Sequence, residues 1–437
     1  MAIIFAILLF LISAGGYISE KKNIVNPVTV FSGLWGAVIL FSSFGFYTMQ
    51  VASNRTYILF FIGTVMFVFG YYFNKLFLSK YRYRIATKKI SNINVVAIPR
   101  YGMMYGLTIV CIIFTLLKWI NLIQQAGTLN LGTIQAMLQS GEYESNSSSI
   151  INAISNLIIS PVAFAIPAVT AADFWFGKRD RKLLALTILL TIINMLSSAN
   201  RTNFMMLFIY LVLVAYMKIA QKNKNILEKQ KKQKKKIRKY IKYLIVFGIL
   251  AFVIMTMSRG SRLFRNIYLN IAMPPRMFEI WADKIETQHV YGYGIASLLG
   301  LFYTIFYIIK NMFGLEKIPN IIQTIYDWTM LTDKQWVWPG DKITANAYVS
   351  LFWFFYLDAR SIGIIVGSFI FGIVASKSYL GAMSKSSNAK NIAYYCIIFY
   401  AILFSFVRLQ FTLSKYVLAL IFVLNVVYKM HSSREEL

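Results

Sequence analysis

The sequence predicts an all-α polytopic integral membrane protein, with about eleven transmembrane helices and one long extracytoplasmic segment. Three observations carry that class. Of 437 residues, 58% are hydrophobic and 14% charged, well past the apolar share of an ordinary globular domain. Apolar runs of about 18 residues or more recur along the chain, the length that crosses a bilayer. Basic residues gather in short loops beside those runs, the positive-inside pattern.

That pattern also accounts for the charge. A net +29, from 45 Lys+Arg against 16 Asp+Glu, invites a nucleic-acid reading. Cations in loops beside apolar spans are instead expected to touch anionic lipid headgroups, and no nucleic-acid partner is expected. Cys111 and Cys396 each lie inside an apolar run, so a structural disulfide is not expected.

Residues 2–18 form the first span. No basic stretch precedes them and no small-x-small site follows, which argues against a signal peptide. The span ends at Glu20-Lys21-Lys22, which puts the N-terminus outside. Residues 27–48 return outward to a turn near Arg55, and 56–78 lead back to a basic loop from Lys75 to Arg100. Residues 101–122 go out to a polar stretch, 123–150, without Lys or Arg. Residues 150–176 come in, with Pro161 and Pro167 expected to kink them. Residues 183–199 and 204–220 make the next pair, and the lysine block from Lys222 to Lys242 fixes the inner face. Residues 243–257 then go out, ending a first part at 257.

A second part, 258–360, follows as a mixed polar and aromatic stretch and is the expected seat of any chemistry. The third, 361–437, holds spans at 361–377, 391–407 and 411–428 and a cytoplasmic C-terminal tail. Two segments stay open. Residues 295–313 are apolar enough to cross, whereas 348–357 are too short to cross comfortably. If both cross, the count is about thirteen; if neither does, about eleven. Residues 314–345 lack the positive excess of a cytoplasmic loop, so both segments are expected to be re-entrant or to lie on the outer face.

An excess of arginine remains on the outer side: Arg55, Arg201, Arg259, Arg262, Arg265, Arg276, Arg360 and Arg408. Arginine suits two-point recognition of phosphate or carboxylate, and individual headgroup contacts are the alternative reading. Arg259, Arg262 and Arg265 have i, i+3, i+6 spacing, so a helix shows them along one face. Arg201 and this set, with Arg408, are the candidate ligands of an anionic group. Asp358 is a candidate general base, or else the partner of an arginine. His289, in a Tyr- and Gly-rich loop, is a second catalytic candidate, with a structural role as its alternative. Trp328, Trp336 and Trp338 are candidates for stacking on sugar rings. No zinc-like ligand spacing and no phosphate-cradling glycine loop is visible, so no cofactor or metal is expected.

Asn346, Tyr348, Tyr356, Asp358, Gly363 and Gly367 form a pattern that resembles the oligosaccharide repeat-unit polymerases, the Wzy-type O-antigen and capsule polymerases. Arg360 stands where that family tends to carry a glycine. The turn Ser198-Ala199-Asn200-Arg201-Thr202 is similar to the family's small-residue-then-Arg turn. The resemblance implies a metal-independent, inverting glycosyltransferase in the bacterial plasma membrane. Its donor and acceptor would be undecaprenyl-diphosphate-linked oligosaccharides, Asn346, Tyr348, Trp336, Trp338 and Arg360 would meet the glycan, and a chain-length regulator is a further implied partner. A lipid diphosphate carries its own activation, so the missing nucleotide site is consistent with that chemistry. An O-antigen-ligase-like transferase uses the same donor. A lipid-linked oligosaccharide flippase should instead show internal repeats and charges deep in its spans. A membrane O-acyltransferase should carry a histidine within a span, but His289 and His431 both lie outside them.

Overall fold

A computed structural model describes residues 1–78, 94–130, 133–134, 137–138, 149–198, 202–220, 235, 237–244, 246, 248, 263–384 and 387–433. Among them, six helices are long and apolar enough to cross a membrane. These are α1 (Ala2–Ser19), α3 (Asn54–Phe73, carried on to Phe77), α4 (Tyr101–Ala126), the run Ile151–Phe176, α7 (Arg181–Ser198) and α13 (Ser350–Met383). The run Ile151–Phe176 joins α5 (Ser149–Ile154) to α6 (Ser160–Phe176) through a π turn, Ser155–Ile159. Shorter apolar helices are α2 (Pro27–Ser43), α8 (Thr202–Ala220, apolar from Phe204), α11 (Leu299–Phe313), α14 (Ala389–Leu403) and α15 (Ser414–Asn425). The protein is therefore a helical chain with the composition and helix lengths of a membrane protein.

Polar or amphipathic helices among the described residues include α9 (Leu263–Ala272), α10 (Pro274–Thr287) and α12 (Asn320–Lys334). Among the described residues, four short strands, β1 (Asn94–Pro99), β2 (Val337–Gly340), β3 (Ile343–Ala345) and β4 (Tyr428–Ser433), stand beside the helices.

Contacts divide the chain into two compact units along lines different from the chain-order division at 257 and 360. The first comprises Met1–Ser91, Arg262–Leu380 and Ile398–Val417; the second comprises Asn92–Ser261, Gly381–Ile397 and Leu418–Leu437.

In the first unit, α1 and α2 pair through a tight turn. Asn26 caps α2 by accepting from the Thr29 N–H at 2.8 Å, with Pro27 fixing the first helical φ. The core between α2, α3 and α13 is aromatic: Phe31 stacks on Phe67 at 3.9 Å, and Phe352 lies 4.6 Å from Trp35 and 4.9 Å from Phe60. At the other end of α3, Glu20 accepts from Lys75 at 2.6 Å and from Tyr71 at 2.7 Å.

The long helix α13 is broken. Ala359 (φ −155°, ψ 36°) and Arg360 (φ 53°, ψ −137°) are non-helical, and residues 350–358 fold back along the start of the limb that follows. Gly363 permits this, because a Cβ there would run into the Phe355 carbonyl. Residues 348–357 thus belong to the short arm of a hairpin. Helix α11, at 15 residues, extends about 22 Å, short of the ~30 Å hydrocarbon core. It packs on α12 and on the turn Gln410–Thr412. The helices at the expected spans 391–407 and 411–428 are shorter than those bounds: α14 stops at Leu403 and α15 runs from Ser414 to Asn425. In that gap Phe411 reaches Phe371, at 6.2 Å between ring centres.

In the second unit, α4 packs on α7, and α6 packs on α7 and α8. Its irregularity falls at the π turn just before Pro161, while α6 runs on through Pro167. Asp173 closes the α6–α7 turn, accepting from Tyr101 at 2.5 Å, the Asp180 N–H at 3.1 Å and the Lys178 N–H at 3.3 Å. Strands β1 and β4 pair antiparallel, Asn94 opposite Ser433 and Pro99 opposite Tyr428. Neither strand was signalled by an alternating pattern.

Candidate functional site

The site grows from α10. Pro274 and Pro275 start the helix, and Met277, Phe278, Trp281, Ala282 and Ile285 form its buried face. Glu279, Asp283 and Glu286, at i, i+4 and i+7, share another face, with Arg276 one turn before them. Burying one face thereby aims three carboxylates together.

Each carboxylate has a different environment. Glu279 accepts from the Ser53 N–H at 3.0 Å and pairs with Arg276 at 2.6 Å, while Arg276 also reaches the Gln50 side chain at 2.7 Å. Glu286 pairs with Arg55 at 3.0 Å and accepts from the Tyr356 hydroxyl; Arg55 donates to that same hydroxyl at 2.7 Å. Asp283 lies exposed between them, and its carboxylate makes no hydrogen bond or ion pair with the described residues.

The electrostatics follow the geometry. Burial pushes Glu286 up, but hydrogen bonds from Tyr356 and Arg55 and the charges of Arg55 and Arg360 outweigh it and leave the carboxyl below its ordinary value. Glu279 is lowered in the same way: burial is outweighed by bonds from Ser53 and Arg276. Asp283 is raised, first by burial and then by the flanking charges of Glu279 and Glu286. Arg55, Glu279, Asp283, Glu286 and Tyr356 line a shallow, open cleft, together with Ser53, Thr56, Leu59, Phe278 and Ala282.

Two charged residues lie at the break in α13. Asp358 is buried, and its Oδ1 accepts from the Gly294 and Ala296 N–H groups, both at 2.9 Å. Its Oδ2 accepts from the Ser297 N–H at 2.9 Å and from the Ser297 hydroxyl. The expectation of a free base at Asp358 thus meets a carboxylate whose two oxygens are already filled by its own loop. Arg360 donates to the Ile285 carbonyl at 3.1 Å and the Val290 carbonyl at 2.8 Å, with its guanidinium 4.2 Å over the Tyr291 ring. It closes the C-terminal end of α10, where a cation is favoured.

The other expected site residues are scattered. His289 ends α10 in a left-handed turn (φ 52°), its N–H on the Glu286 carbonyl, and its side chain is exposed. Trp336 and Trp338 are 48% and 64% exposed beside and on β2, whose Pro339 carbonyl accepts from the Gln50 N–H at 3.0 Å. Arg408 pairs with Asp333, and Asn346 donates to the Asp333 carbonyl at 2.5 Å. Tyr348 lies 6.2 Å from Phe406, between ring centres. Arg265 lies on α9, while Arg201, Arg259 and Arg262 fall outside the described residues. Among the described residues, no group of three or more His, Cys, Asp or Glu side chains is placed to hold a metal ion.

Sequence reasoning passed over Arg55, Asp283 and Glu286 as a set. The 279/283/286 spacing was a usable signal, but the partner arginine is 231 residues away from Glu286 in the chain. Compared with known proteins, the chain matches no protein-family model, no curated protein and no solved structure.

Proposed function

We propose that this protein is a membrane glycosyltransferase that extends a glycan carried on a polyprenyl diphosphate, polymerising lipid-linked repeat units at the outer face of a bacterial plasma membrane. One observation carries the reading most. An unpaired Asp283 stands beside the Arg55–Glu286–Tyr356 cluster, in an open cleft at the outer end expected for the apolar helix α3. Neighbouring carboxylates with oppositely shifted proton affinities are how a site separates a proton acceptor from a permanently charged group.

In this reading the acceptor hydroxyl enters the cleft and attacks the anomeric carbon of the donor glycan. The new C–O bond forms as the bond to the diphosphate breaks, and the electron pair leaves on phosphate. The hydroxyl proton passes to Asp283, which replaces Asp358 as the proposed base. Glu286 stays ionised and holds Arg55 and Tyr356 in place. Within the first unit, Arg262, Arg265 and Arg408 are the proposed diphosphate ligands, and Trp336, Trp338, Asn346 and Tyr348 the glycan contacts. Arg360 is reassigned from touching glycan to bracing α10.

The test is reconstitution of the purified chain with lipid-linked repeat units. A ladder of lipid-linked products is expected, and it should disappear with Asp283→Asn while protein abundance is unchanged. Release of free glycan, or transfer only to a different lipid acceptor, would favour hydrolysis or a ligase-like activity instead.

A further inference from the structure

Three carboxylates, Glu279, Asp283 and Glu286, and one guanidinium, Arg55, line the cleft. Arg55 is held by Glu286 at 3.0 Å and Arg276 by Glu279 at 2.6 Å. Arg360 spends its donors on the Ile285 and Val290 carbonyls. Asp283 is the carboxylate left over. An anionic group entering here meets that carboxylate and finds each neighbouring guanidinium already engaged. A neutral hydroxyl-rich ring, or one bearing an ammonium, meets neither obstacle. Of the remaining lining, Ser53 offers an exposed hydroxyl, while Thr56, Leu59, Phe278, Ala282 and Tyr356 are buried. On a chain of net charge +29, a cleft lined by three carboxylates and one guanidinium is a local departure that the overall field does not explain.

We infer that the cleft receives an acceptor sugar that is neutral or carries a free amino group, rejects uronic acids, and leaves the lipid diphosphate outside. The inference rests on the glycosyltransferase reading above and goes beyond it by naming the class of sugar.

The experiment is a titration of the full chain in lipid nanodiscs with three trisaccharides: glucosamine, N-acetylglucosamine and galacturonic acid. It is run at low salt, with the amine protonated. The glucosamine trimer should bind about tenfold more tightly than the galacturonic acid trimer, the scale of one exposed charge contact. Asp283→Asn should erase the preference for the free amine, and Asp283→Lys should reverse the order. Because Asp283 is exposed, both variants should fold, which melting curves verify. Equal or tighter binding of the galacturonic acid trimer by the parent, an order unmoved by Asp283→Lys, or no binding of any trimer overturns the inference. A parallel elongation assay keeps two failures apart. Elongation onto a uronic acid acceptor overturns the sugar class and leaves the glycosyltransferase standing. No elongation of any lipid-linked glycan overturns the glycosyltransferase and the sugar class with it.

Discussion

Asp283 and Asp358 show how one residue type meets two environments within one unit: the first is exposed and the second buried. Asp283 is raised by burial and by two like charges, and its carboxylate is open. Asp283→Asn should lower turnover about 10²- to 10⁴-fold, the usual contribution of a positioned base. In the parent, activity should rise with pH through a midpoint above that of an ordinary aspartate, and this inflection should vanish in the variant. Asp358 is filled by four donors. Asp358→Asn should cost about 2–4 kcal/mol of stability, because an amide cannot accept all four bonds. A pH profile of the surviving activity should keep its inflection; its loss would restore Asp358 as the base. Glu286 has the opposite sign to Asp283. Its lowered value means it contributes stability above the ordinary carboxylate range, lost as pH falls through the lowered one. Acid melting curves of Glu286→Gln should therefore flatten relative to the parent.

At the scale of elements, the break in α13 organises the first unit. Residues 350–358 carry Tyr356 to the cleft, and the fold-back requires Gly363 to lie against the Phe355 carbonyl. Gly363→Ala should lower the melting temperature and the activity together. Gly381→Ala, at a position with open space and within the same helix, should be neutral or slightly stabilising. Equal effects at both positions would contradict the packing described. The break was only half legible in the sequence. An aromatic run too short to cross, followed by Asp358, Arg360 and Gly363, marked a special place, whereas the direction of the short arm depends on contacts with Gly63 of α3 and Gly367 that no local pattern encodes. The β1–β4 pair was illegible for the same reason, since its strands are joined only by long-range pairing.

For the whole molecule, composition and loop charge were enough to read a helical membrane protein, because both are sums over many residues and tolerate local error. Span ends were less legible. Helices α14 and α15 stop short around a polar turn because Gln410 and Thr412 are buried against protein rather than exposed to lipid. Orientation is open to thiol labelling in a chain lacking Cys111 and Cys396. Cysteines at Ser140 and at the exposed Lys342 should react with an impermeant reagent in intact cells, and one at Lys231 should not. Thr332, attractive by sequence, is buried and would be silent from either side. The central claim is glycan transfer from a lipid diphosphate, using Asp283 as base. Its most direct test is the product pattern of purified parent and Asp283→Asn chains given lipid-linked repeat units in excess chelator. A ladder from the parent and only single repeats from the variant is the predicted result; a ladder of equal length from both, or none from the parent, would contradict it.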